Sequence, residues 1–164
     1  ATPWGVTRID VRSAREMREA VLPLARSHDV FVATAAVADW RPQDVAAQKI
    51  KKAAGQGAPA IAMVENPDIL AEVAAMSGGP LCVGFAAESR NLDEYAQTKR
   101  RKKNIPLIAG NLIQDGFGGD DNRLVLFDDN GAHPLSPAPK SVLAGQLIEH
   151  IAILVRKDPC IEST

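Results

Sequence analysis

At 164 residues, with 46% hydrophobic and 24% charged residues, the chain has the size and make-up of one globular domain with a sizeable core. Its formal net charge of -1 argues against a general nucleic-acid binder while leaving local basic patches open. Cys82 and Cys160 are too few and too far apart for a disulfide framework or a zinc site, no apolar run reaches membrane-spanning length, and no signal-peptide pattern occurs, so a reducing cytoplasm is the expected setting.

The chain begins at Ala1 rather than at a methionine, so a piece excised from something longer is expected. Val6 to Val11 alternates and predicts a short strand. Ser13 and Glu16 form a capping box for a helix over 13–27, with Met17, Ala20, Val21 and Leu24 as its apolar stripe. A central buried strand over 29–37 follows, β-branched and apolar without alternation. Residues 41–57 read as an irregular, mobile loop, and Ala60 to Val64 as the next strand.

Asn66-Pro67-Asp68 marks a helix start, with Asn66 as cap and Pro67 at the first helical position. Leu81 to Glu88 repeats the design of the central strand: an apolar run, small residues, then one acid. The helix over 91–103 ends in Lys99-Arg100-Arg101-Lys102-Lys103, more cations than a helix C-terminus needs. Leu107 to Asn111 is another buried strand, and the glycine-rich loop from Gly116 to Asn122 leads to a hairpin turning at Asp129-Asn130-Gly131. Lys140 to Val155 forms a closing helix with Val142, Leu143, Leu147, Ile148, Ile151 and Leu154 on its apolar side. The tail over 157–164 is expected to be disordered. Strands alternating with helices predict an α/β fold: a Rossmann-like, mostly parallel sheet flanked by helices, with a β-hairpin appended near the C-terminus.

The central strand runs into Ala33-Thr34-Ala35-Ala36 and then meets Asp39, and ligands of open α/β sheets sit just past the carboxyl ends of strands. Small residues there let a ligand approach the backbone, and a carboxylate can hold a ribose hydroxyl or a metal ion. The same residues fit a packed strand, a capping aspartate and a solvated basic loop equally well. No Walker loop, GxGxxG, GxSxG or HExxH occurs, and His28, His133 and His150 are scattered without a nucleophile beside any of them. Positive charge remains in two places: Lys49, Lys51 and Lys52 on a loop, and Lys99 with Lys103 on one helix face. With Asp39 able to carry Mg²⁺, this is an inventory for a nucleotide-triphosphate site that works by positioning and charge neutralisation.

Ala35 to Pro42, Lys49-Ile50-Lys51-Lys52, Asn66 to Leu70, Gly84 to Glu88, and Lys99 with Lys103-Asn104 occur in this order, followed by Phe117, Asp121-Asn122 and Lys140. Together they resemble the phosphopantothenoylcysteine synthetase domain of the bacterial coenzyme A biosynthesis flavoprotein, over nearly the whole chain. Trp40 stands where that family usually has tyrosine or phenylalanine. The resemblance implies a CTP-dependent ligase that joins 4′-phosphopantothenate to L-cysteine through an acyl-cytidylate. It also implies a homodimer and a linked decarboxylase domain whose FMN has no counterpart here.

Carried over by motif, the CTP site comprises Ala33, Thr34, Ala35, Asp39, Lys49, Pro67, Asp68, Ile69, Leu70, Phe85, Lys99 and Lys103. Lys49 is implied as the catalytic lysine closing over the reacting phosphates, and Asp39 as the residue that meets Mg²⁺ through the nucleotide. Such enzymes begin with a glycine- and serine-rich phosphate loop containing a needed asparagine, and residues 1–156 carry nothing like it. They therefore read as the C-terminal portion of the synthetase domain, lacking its first βαβ part, and are expected to be incomplete as a catalyst. A different class also fits the residues: a non-catalytic Rossmann-like module holding a polyanion or acidic partner through its basic run.

Overall fold

The computed structural model describes residues 2–46, 48–49, 57, 59–113 and 121–157. Helix α1 (Ala14–Ala25) leads into strand β1 (Val30–Ala33). A short ribbon of β2 (Trp40–Pro42) and β3 (Met63–Glu65) precedes helix α2 (Ile69–Ala74). Then come β4 (Leu81–Glu88), α3 (Leu92–Lys103), β5 (Leu107–Leu112), the two-residue β6 (Asp121–Asn122) and the hairpin β7 (Val125–Asp128) with β8 (Gly131–Pro134). A two-residue β9 (Ala138–Pro139) and helix α4 (Lys140–Lys157) close the described chain.

The main sheet has the order β1-β4-β5-β7-β8. Its first three strands are parallel, with Val30 opposite Leu81 and Val83 opposite Leu107. The hairpin joins the sheet itself, β7 running antiparallel to β5 with Ile108 opposite Phe127. Neighbouring residues on a strand point to opposite faces, and the core divides accordingly. Cys82, Ala86, Ile108 and Phe127 pack with Ile69, Leu70 and Val73 of α2, Ala96 of α3, and Met17 and Val21 of α1. Leu81, Val83, Leu107, Ala109 and Leu126 pack on the other side against Leu147 and Ile151 of α4. The expected helix-flanked α/β sheet is observed, with a parallel core of β1, β4 and β5 that β7 and β8 extend antiparallel into a mixed sheet.

Several local expectations shift. Residues 6–11 join no ladder among the described residues, and Val6 and Ile9 are about half exposed, because alternation yields a strand only where a partner edge is engaged. The central strand ends at Ala33, level with Gly84, rather than at residue 37; Val37 N–H turns back to the Ala35 carbonyl at 3.0 Å. The strand expected over 60–64 is β3, which pairs with β2 outside the main sheet. The cap of α2 is Asp68, not Asn66: its Oδ1 accepts from Ala71 N at 3.1 Å. A proline disfavours helical backbone in the residue before it, so Asn66 stays out of the helix, Pro67 precedes the cap, and α2 starts two residues later. Helix α3 closes with Asn104 in the left-handed region, φ 50°, and Ile105 N–H returns to the Arg100 carbonyl.

On α4 the buried stripe is Leu143, Leu147 and Ile151, a four-residue spacing, whereas Val142 and Ile148 stand off it and are exposed. Lys157 closes this helix, so the tail expected from 157 begins one residue later at the earliest. Residues 158–164, the tip of the glycine-rich loop with Phe117, and Ile50, Lys51 and Lys52 lie outside the described residues.

Candidate functional site

A cleft of about 730 Å³ opens beyond the carboxyl end of β1, walled by the start of α2 and by α3. Eleven of the twelve residues singled out from sequence line it: Ala33, Thr34, Ala35, Asp39, Pro67, Asp68, Ile69, Leu70, Phe85, Lys99 and Lys103. The twelfth, Lys49, is exposed and is not part of its lining. Ile69 and Leu70 are core residues, 6% and 9% exposed, so what they offer a polar ligand is backbone.

The cationic wall is set by α3. Lys99 Nζ donates to the Phe85 carbonyl at 2.8 Å, bracing the helix against the end of β4. Burial lowers the pKa of Lys99 and the neighbouring Lys103 lowers it further, against the raising influence of Glu88, Asp68 and Asp39. Lys103 Nζ donates to Asp68 Oδ2 in an ion pair between α3 and the cap of α2. Burial would raise the Asp68 pKa, but the hydrogen bonds from Lys103 and the Ala71 amide outweigh it, and the carboxyl is held below its ordinary value. Asp68 is thus committed twice, to its own helix and to Lys103. A second anion entering beside Lys99 and Lys103 meets charge that one carboxylate only partly offsets.

Asp39 is positioned by a strap. Asn66 N–H donates to the Asp39 carbonyl at 2.8 Å, and Asn66 Nδ2 donates to the Ala38 carbonyl at 2.8 Å. Arg41 Nη1 donates to the Glu65 carbonyl and, at 3.3 Å, to Asn66 Oδ1. The residue read from sequence as a helix cap therefore tethers the loop that presents the carboxylate. The Asn-Pro dipeptide held the signal, because an asparagine barred from the helix has its side chain free for the neighbouring segment.

Two further features escaped the sequence reading. Lys102 also lines the cleft, and its three-residue spacing from Lys99 would have revealed it. Thr7, Ile9 and Val11, with Met17, Ala20, Val21 and Leu24 of α1, add a largely apolar part to the lining. The cleft is therefore graded: apolar along α1, small and backbone-rich at the end of β1, cationic along α3. Such a surface suits an elongated ligand with a flat polar portion and a polyanionic end. Asp39, unlike Asp68 not paired with a lysine among the described residues, offers a hard oxygen ligand that suits Mg²⁺, which is ordinarily held by one or two carboxylates together with substrate phosphates.

Comparison with known proteins agrees with this architecture. A protein from Vibrio cholerae, a coenzyme A biosynthesis bifunctional protein CoaBC, is 47% identical over 154 residues, covering 92% of this chain and 39% of the relative. The CoaBC of Escherichia coli K12 is 46% identical over 152 residues, covering 90% of this chain and 37% of its own length. The chain thus spans about two fifths of the curated relatives it matches. A crystal structure of the C-terminal domain of a CoaBC superimposes with TM-score 0.78 at 31% identity, covering 96% of this chain and 70% of the other. The model of the DNA/pantothenate metabolism flavoprotein C-terminal domain matches residues 1–154, and the chain belongs to that family.

Proposed function

We propose that the cleft is the nucleotide site of a phosphopantothenate–cysteine ligase in coenzyme A biosynthesis, taking CTP with Mg²⁺ as its counter-ion. The observation that carries this reading is the convergence of the β1 terminus, Asp39, Phe85, Lys99 and Lys103 on one graded cleft. In the proposed reaction a carboxylate oxygen of 4′-phosphopantothenate attacks the α-phosphorus of CTP. An acyl-cytidylate forms and pyrophosphate leaves. The amine of L-cysteine then attacks the acyl carbon, an amide forms and CMP departs. No side-chain nucleophile is needed, so the chain's contribution is orientation and charge stabilisation.

In this reading the backbone of Ala33, Thr34 and Ala35 reads the base edge, and Asp68 to Leu70, following Pro67, present backbone N–H groups beside it. Lys99 and Lys103 neutralise phosphate charge. Mg²⁺, when bound, withdraws charge from the phosphate oxygens, and Asp39 is the residue placed to meet it. Lys49 stands outside the cleft and is proposed as the lysine that acts on charge developing during transfer, so Lys49→Gln would lower turnover more than affinity. A homodimer, a cytoplasmic location and, in the longer relatives, a linked FMN-dependent decarboxylase domain accompany the proposal. Residues 1–164 contain no glycine-rich phosphate loop of the synthetase kind, and by themselves are proposed to bind CTP weakly and to turn over little.

Calorimetry tests the reading. In an intact synthetase containing this segment, CTP with Mg²⁺ should bind at least about tenfold more tightly than ATP, a gap of about 1.4 kcal/mol or more. Equal affinities for both nucleotides, with steeply salt-dependent binding of any polyanion, would favour the non-catalytic module instead.

A further inference from the structure

Asp128 at the end of β7 is the only buried charged side chain among the described residues, 3% exposed. Its two oxygens face two imidazoles from different elements. His133 Nε2 of β8 lies 2.9 Å from Oδ1, and His150 Nε2 of α4 lies 3.1 Å from Oδ2. The Asn130 amide donates to Oδ1 at 2.7 Å and fixes the orientation of the carboxylate. The two rings sit 5.1 Å apart, inclined by 51°. None of the three residues lines the cleft, and the proposed reaction gives them no role.

Both histidines turn the same nitrogen, Nε2, toward one carboxylate, and the three candidate ligand atoms lie within 4.8 Å of one another. A zinc-class ion with bonds of about 2.0–2.2 Å would hold tetrahedral ligands about 3.3 Å apart. Drawing the atoms in by at most about 1.5 Å is within reach of side-chain rotation, and the partly exposed His133 leaves a way in. Gln146 lies one turn before His150 on α4, and its Oε1 is shielded from solvent with no hydrogen-bond partner among the described residues. Burial works against the charge on Asp128, yet the hydrogen bonds from His133, Asn130 and His150 overcome it and bring its pKa to about 2.

We propose that Asp128, His133 and His150 form a binding site for a divalent transition cation of the zinc class, which clamps the β7–β8 hairpin to α4. Two imidazoles and one carboxylate favour Zn²⁺, Co²⁺ or Ni²⁺ over Mg²⁺ or Ca²⁺, whose preferred ligands are all oxygen. Binding replaces the two Nε2–H···O contacts by metal–ligand bonds: each imidazole coordinates as the neutral Nδ1–H tautomer, the Nε2 proton passing to solvent while a bare Nδ1 takes one up, and nothing is oxidised or reduced.

The test uses the whole chain, stripped of metal and titrated with Co²⁺ by visible absorption and with Zn²⁺ by calorimetry. One equivalent should bind, with an absorption band characteristic of low-coordinate Co²⁺ that Zn²⁺ abolishes and Mg²⁺ leaves intact. Loss of an outer-shell partner typically weakens metal binding by about 10–100-fold, so His133→Gln, which removes a ligand, should weaken it by roughly a hundredfold or more. His150→Gln should do the same, and His28→Gln should change nothing. If His150→Gln fails to fold, His133→Gln at the more exposed position carries the test, together with the ¹⁵N shifts of the His133 and His150 ring nitrogens on adding Zn²⁺. Absent binding, undiminished affinity in His133→Gln, or a response confined to His28 would overturn the proposal.

Discussion

Replacing Lys99 by methionine should separate ligand binding from folding. In the folded chain the ammonium donates to the Phe85 carbonyl at 2.8 Å, a charge-assisted contact of about 1.5–3 kcal/mol. Burial and the nearby Lys103 disfavour the same charge. Methionine has similar length and no charge, so it forfeits the hydrogen bond but removes both penalties. The opposing effects should leave stability within about 1 kcal/mol of the parent. A bound triphosphate sees only a loss. A unit charge about 4 Å from a phosphate oxygen near a protein surface is worth about 4 kcal/mol before desolvation. A net contribution of about 1.5–3 kcal/mol, or roughly 10–150-fold in affinity, is the reasonable remainder. The assay pairs calorimetry with CTP and Mg²⁺ with urea denaturation of the same protein. Unchanged affinity, or a loss of affinity matched by an equal loss of stability, would refute the reasoning. The sign of the pH effect follows as well. The folded-state pKa of Lys99 lies below its ordinary value and a bound anion stabilises the protonated form. CTP affinity should therefore fall as pH rises through that lowered pKa, and Lys99→Met should remove this part of the alkaline limb.

Asn66→Ala removes the Nδ2 bond to Ala38 and the contact from Arg41, together about 1–2 kcal/mol of restraint on the Asp39 loop. CTP affinity should drop by roughly 5–30-fold by calorimetry, and an unchanged affinity would show that Asp39 needs no strap. Asp68 has a folded pKa below its unfolded value, so its contribution to stability is complete above about pH 4 and fades as pH falls through the lower folded pKa. Asp68→Asn should flatten stability against pH below about 4 in chemical denaturation, and an unaltered slope there would contradict the Lys103 pairing. Gly110→Ala would place a Cβ 2.9 Å from Leu92 Cδ1 and 3.0 Å from Phe127 Cε2, so it should cost about 1–3 kcal/mol in urea unfolding; a neutral effect would mean that the β5–α3 packing yields easily.

Most of this architecture was legible in the sequence because its signals are local and strong. Uninterrupted apolar runs at Leu81 and Leu107 meant strands covered on both faces, and Asp129-Asn130-Gly131 meant a hairpin; both appear where expected. The failures fall where a segment's fate depends on a distant partner. Residues 6–11 alternate as a strand does, yet alternation cannot say whether an edge is taken. Met63–Glu65 found its partner in Trp40–Pro42 rather than in the main sheet, a pairing that no local pattern specifies. Asn66 has the composition of a cap, but Pro67 displaced the helix start and left that role to Asp68. The cleft was legible because its ordered motifs named the residues. Its grading was not, since the apolar part comes from residues 7–24, whose spacing announced only a short strand and a helix packing on a sheet. The pairing of Asp128 with His133 and His150 was equally hidden: the hairpin and α4 bring together residues up to 22 positions apart.

The most direct test of the account is a map of backbone amide chemical shifts in the ¹⁵N-labelled chain as CTP and Mg²⁺ are added. Perturbations should concentrate at Ala33 to Ala35, Asp39, Asp68 to Leu70, Phe85, Lys99 and Lys103, be larger with CTP than with ATP, and be absent from Asp128, His133 and His150. Perturbations spread over the exposed cations alone, or equal for both nucleotides, would contradict it.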